Sequence, residues 1–146
     1  MAGTKRIRNL TIITSLASIT LGAYYEWLFV YIWGVIEEDV IFWGGISIVI
    51  GFVGILLLML ARFMQKTSEE FWQTVARIIL ALWHLGILLL QVIPTIIWLS
   101  GGMVSDKPYA SKAVPWGAAP HILMIFLASV TMYQLLRKWS IAAKRV

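Results

Sequence analysis

The sequence predicts an all-α fold: an integral membrane bundle of four transmembrane helices with both termini on the cytoplasmic side. Three observations lead there. First, 60% of the 146 residues are apolar, only 13% are charged, and mean hydropathy is +0.85. An average soluble domain is roughly a quarter charged. Second, four apolar runs at 10–36, 40–61, 78–100 and 116–136 are each long enough to cross a hydrocarbon core of about 30 Å at about 1.5 Å per residue. Third, the basic residues are asymmetric: Lys5, Arg6, Arg8, Arg62, Lys66, Arg77, Arg137, Lys138, Lys144 and Arg145 flank one set of run ends, leaving Lys107 and Lys112 for the other. That bias puts the richer side in the cytoplasm. The same pattern excludes a water-soluble enzyme and a nucleic-acid module, because the net charge of +5 sits at membrane flanks.

The first run follows Lys5, Arg6 and Arg8 as a signal peptide would, but it is too long for a signal core and has no convincing small-x-small cleavage site. It is expected to be a retained, tilted helix. Thr11, Ser15, Ser18, Gly22 and Glu26 recur at steps of three and four, so they share a face that must meet protein. After the acidic turn Glu37-Glu38-Asp39, the second run carries Gly44, Ser47, Gly51 and Gly54 at similar steps, a seam for close helix contact. Thr67-Ser68-Glu69-Glu70 has capping-box spacing, which starts the third helix in the cytoplasm. Arg77, His84, Gln91, Thr95 and Trp98 then share one face, and Pro94 is expected to kink the helix.

The fourth helix is expected to start at Trp116 or Ala119, because Pro115 and Pro120 each suit a first turn. That leaves residues 101–115 as an outer loop. Gly117, His121, Ala128 and Met132 make its small and polar stripe. Trp27, Trp33, Trp43, Trp98, Trp116 and Trp139 lie near span ends, with Phe71 and Trp72 on a first turn, as interfacial aromatic belts require. There is no tandem repeat, so residues 1–146 form one domain.

Chemistry is sparse. The chain has no cysteine and no HExxH, GxSxG or glycine-rich phosphate loop. No catalytic residue and no metal site are expected. Glu26 is the only acid well inside a span, and Glu26, Gln91 and His121 all fall in the outer half, where they can form one hydrogen-bonded group. Such a group would serve as a structural lock, or as a site for a proton, a quinone carbonyl or a metal ion, although one imidazole and one carboxylate are too few ligands for a metal by themselves. His84 and His121 differ in height by roughly 10 Å, so they cannot clamp one haem b between them, although either could ligate one with help from another chain.

The leading expectation is a non-catalytic accessory subunit of a larger membrane complex, such as a respiratory, photosynthetic or oxygenase assembly. Its partners would be membrane lipid and other integral subunits, and its home a prokaryotic-type inner or cell membrane. Two alternatives stand beside it. One is a haem- or quinone-binding membrane anchor using His84 or His121. The other rests on Glu26 within Tyr24-Tyr25-Glu26-Trp27 in the first of four spans, which resembles the architecture of the small multidrug resistance transporters. That resemblance implies a small homo-oligomer exchanging protons for a cationic substrate through Glu26. The outer loop and the extended third helix depart from the family's compact pattern.

Overall fold

A computed structural model describes residues 2–34, 38–66, 70–101 and 110–143. They form α1 (Ala2–Glu26), which continues as a π-helical segment (Trp27–Ile32), then α2 (Glu38–Gln65), α3 (Glu70–Leu99) and α4 (Ala110–Ala143). Each helix lies against its neighbours in sequence, and α1 closes the ring on α4. The directions alternate. One end of the bundle gathers Ile7 of α1, Ala61 of α2, Ala76 and Leu80 of α3, and Leu135 of α4. The other gathers Tyr25 and Phe29, Val40 and Trp43, Trp98, and Ala113 and Ala118.

Three helices are long and apolar enough to cross a membrane: Val40–Met64, Glu70–Leu99 and Lys112–Arg137. The α-helical part of α1 is less apolar for a physical reason. Its inward face is hydroxylated, and Thr11, Thr14, Ser15 and Ser18 are all fully buried. Thr11 and Thr14 satisfy their hydroxyls on their own helix, donating to the carbonyls of Ile7 (3.0 Å) and Leu10 (2.9 Å). The outward face of α1 is apolar, with Ile13 and Leu16 about half exposed.

That inversion holds throughout the bundle. Ser47, His84, Gln91, Thr95, His121 and Thr131 are at most 9% exposed, whereas Phe52, Leu56, Met59, Leu89, Ile96 and Phe126 project outward at 56–64%. Water selects the reverse arrangement, since a soluble chain does not leave so many large apolar side chains uncovered while it buries its polar ones. A hydrocarbon surround selects this one.

Several sequence expectations are corrected. α4 begins at Ala110, so Pro115 and Pro120 both lie inside it and residues 110–115 belong to the helix rather than to a loop. Pro115 stands in the second turn, where its missing N–H leaves the Ser111 carbonyl without its helical donor. α3 spans Pro94 as one helix, as a kinked helix also does, and Thr95 Oγ1 donates to the Gln91 carbonyl at 2.7 Å. Thr67–Glu69 of the capping box lie outside the described residues.

The tryptophans also divide. Trp27, Trp72 and Trp116 are exposed, as a belt requires, but Trp98 is fully buried and Trp43 is 9% exposed. Trp98 belongs to the core because its indole N–H finds a buried partner and Gly117 leaves room for its ring. The side chain of Trp139 lies outside the described residues. Two glycines end helices in the left-handed conformation that L side chains avoid: Gly34 (φ 64°) after the π-helical segment and Gly101 (φ 74°) after α3.

Candidate functional site

All four helices meet in one hydrogen-bonded group. The imidazole of His121 on α4 donates from Nδ1 to Gln91 Oε1 on α3 at 2.5 Å. The Gln91 amide donates in turn from Nε2 to Ser47 Oγ on α2 at 3.4 Å, and that hydroxyl donates to the Trp43 carbonyl at 3.0 Å. Ser18 of α1 completes the set, with its Oγ donating to the Ser47 carbonyl at 2.5 Å. Each of these side chains is at most 5% exposed. In a low-dielectric interior such bonds are directional and expensive to break, so the group fixes the rotational setting of each helix against the others.

An aromatic layer covers the group. The Tyr25 ring stands edge-on to His121 with centroids 5.4 Å apart, and its hydroxyl accepts a hydrogen bond from Trp98 Nε1 at 2.5 Å. Phe29 packs on Tyr25 (4.9 Å) and on Trp98 (5.0 Å). Phe29 lies in the π-helical stretch, where the backbone N–H of Trp33 reaches the carbonyl of Leu28, five residues back, at 3.1 Å.

Of the predicted polar residues, the structure thus joins Gln91 to His121 and adds Ser47 to them. Glu26 is turned elsewhere. Its half-buried carboxylate accepts the backbone N–H of Gly45 and lies against Gly44, where a Cβ would collide with it. The glycine seam of α2 is occupied within the chain. A Cβ on Gly51 would stand 2.6 Å from the Ser15 carbonyl, one on Gly22 2.7 Å from the Gly44 carbonyl, and one on Gly54 would meet Trp83 and Ser15. The seam is therefore the contact between α1 and α2, with Trp83 of α3 at its far end.

His84 is a separate feature. Its Nδ1 donates to the Leu80 carbonyl of its own helix at 2.7 Å, and its ring stands edge-on to Trp83 at 4.6 Å. It lies seven residues before Gln91, the partner of His121, so the two imidazoles are about 10 Å apart in height. In each, Nε2 is buried without a partner among the described residues.

The gap between Leu21, Gly22 and Tyr25 of α1 and Pro120, His121 and Met124 of α4 is too narrow for a water molecule. A porphyrin or quinone ring would have to part the two helices. Among the described residues no group of three or more His, Cys, Asp or Glu is placed to hold a metal ion.

Sequence reasoning missed Tyr25 and the pairing of Ser18 with Ser47. A signal for Tyr25 was present, since Ser18, Gly22 and Tyr25 follow steps of four and three along the buried face of α1. What the site offers is a set of interhelical donors and acceptors committed to one another. Comparison with family models, curated proteins and solved structures finds no match to the chain, so its place is read from its own residues.

Proposed function

We propose that this chain is a non-catalytic, structural subunit of a larger membrane assembly, embedded by all four helices with both termini on the cytoplasmic side of a prokaryotic-type membrane. The observation that carries the reading is the polar group Ser18–Ser47–Gln91–His121, whose hydrogen bonds run between helices and hold the bundle together. Its packing leaves no passage beside His121 for a substrate. What remains for partners is the exterior, which is large and apolar and includes a groove of about 480 Å³ bordered by Val49 of α2 and Leu90 of α3. In this reading the fourth span is α1 together with its π-helical segment, its hydroxyls turned inward and its isoleucines and leucines outward.

A photo-crosslinking residue at Val49 tests the proposal in the native membrane. The expected product is one adduct of fixed mass with a larger integral subunit. Adducts with lipid alone, or only with a second copy of the chain, contradict it.

A second reading, proton-coupled export, has one observation in its favour: Glu26 is half-buried and stands where α1 passes into its π-helical segment, a departure from α-helical geometry often found at functional sites. Under the structural reading Glu26→Gln keeps an oxygen for the Gly45 N–H and leaves assembly intact. Loss of proton-driven cation efflux in proteoliposomes carrying that variant, against active efflux by the parent, would favour transport instead.

A further inference from the structure

The alternating helix directions bring the start of α1, the end of α2, the start of α3 and the end of α4 to one end of the bundle, around Ile7, Ala61, Ala76 and Leu135. That end carries Arg6, Arg8, Arg62, Lys66, Arg77 and Arg137, and its described acid is Glu70 alone. Among the described residues none of the six cations has an ion-pair partner. Four are exposed, but Arg8 and Arg77 are half-buried, and their positions set them apart.

Arg8 continues the buried stripe of α1, since Arg8, Thr11, Ser15 and Ser18 follow steps of three, four and three. Arg77 continues that of α3, seven residues before His84 and fourteen before Gln91. The two arginines therefore end the polar stripes of two different helices at the same mouth of the bundle. Partly desolvated guanidinium groups with no counter-charge among the described residues are costly, and a planar fork of N–H donors fits one chemistry above others, the oxygens of a phosphate. Beside them the exterior is apolar: Ile12 and Ile13 on α1 and Ile78 on α3 are exposed at 36–50%, where acyl chains would lie.

We infer that the Arg8–Arg77 end of the bundle is a binding site for the headgroup phosphate of an anionic phospholipid. This does not rest on the subunit reading, because a transporter would present the same end to the same leaflet. A bound anionic lipid neutralises the mouth of the polar interior and fixes the depth of α1 and α3 in the membrane.

The test is native mass spectrometry of the purified full-length chain from mild detergent, titrated with phosphatidylglycerol, phosphatidylcholine or inorganic phosphate. The parent is expected to retain phosphatidylglycerol in preference to phosphatidylcholine and to bind inorganic phosphate far more weakly. A basic residue near an anionic surface contributes about 1 kcal/mol, so Arg8→Gln with Arg77→Gln should weaken phosphatidylglycerol binding about 25-fold. Arg6→Gln with Arg62→Gln, both exposed, should cost less, and far-UV circular dichroism reports whether each variant keeps its helicity. Equal retention of the two lipids by the parent overturns the inference without recourse to any variant. So does an equal loss from both arginine pairs, which would mark a diffuse surface field, and so does displacement of the lipid by inorganic phosphate at comparable concentration, which would assign the site to a free anion.

Discussion

Gln91 bonds two other helices at once, accepting from His121 on α4 and donating to Ser47 on α2. Gln91→Leu leaves the His121 N–H and the Ser47 hydroxyl short of a partner in a buried site. Interhelical hydrogen bonds in membrane bundles average about 0.6 kcal/mol and reach about 1.7, so the loss should be about 1–2 kcal/mol of unfolding free energy in detergent. Thr131→Val makes the comparison, since that hydroxyl only back-bonds to the Leu127 carbonyl of its own helix at 2.9 Å. It should shift stability by less than about 0.5 kcal/mol. Equal shifts from the two variants would mean that the four-helix group contributes nothing beyond packing. The residue types in this group were legible in the sequence because lipid leaves few places for them, and helical spacing put Gln91 and His121 on inward faces. Which of them pair was not legible, because periodicity assigns a face but not the rotation of one helix against the next. That is why Glu26 was grouped with the histidine although its carboxylate lies on the α2 backbone.

Among the elements, the pair α1 and α2 depends on missing side chains. At Gly51 even a methyl group must displace backbone, since the Ser15 carbonyl stands 2.6 Å from the Cβ position, whereas at Gly86 nothing lies within 4 Å of it. Gly51→Ala should therefore destabilise the bundle by about 1–3 kcal/mol through overpacking. Gly86→Ala should be neutral or stabilising by up to about 1 kcal/mol, the helix-propensity difference. Thermal unfolding of the two variants in one detergent checks both, and a Gly51→Ala as stable as Gly86→Ala would contradict the seam. The seam itself was readable from four small residues at steps of three and four. The π-helical stretch of α1 and the early start of α4 were not. The first has no proline or glycine within Trp27–Ile32 to announce it, and the second runs against the usual reading of Pro115 as a first-turn residue. Trp98 misled for a related reason: position near a span end suggests an interfacial anchor, and only the Tyr25 hydroxyl across the bundle makes it a core residue.

For the whole molecule, the polar interior and apolar exterior suit a hydrocarbon surround, and in the proposed arrangement the distribution of basic residues puts both termini in the cytoplasm. The absence of native cysteine allows a clean test of direction by single-cysteine labelling. Arg62→Cys should react with an impermeant maleimide only after the cytoplasmic face is opened, and Lys112→Cys should react from outside intact cells. Labelling of both from the same side would remove the four-span arrangement, because α3 alone separates the two positions. The central claim is that such a bundle, bonded internally and apolar externally, serves by packing against other membrane subunits. Purification from the native membrane in mild detergent, with every co-migrating chain identified and quantified by mass spectrometry, tests it most directly. The account predicts at least one larger integral subunit in fixed ratio with this chain. Migration of the chain by itself, as a monomer or small homo-oligomer, would contradict it.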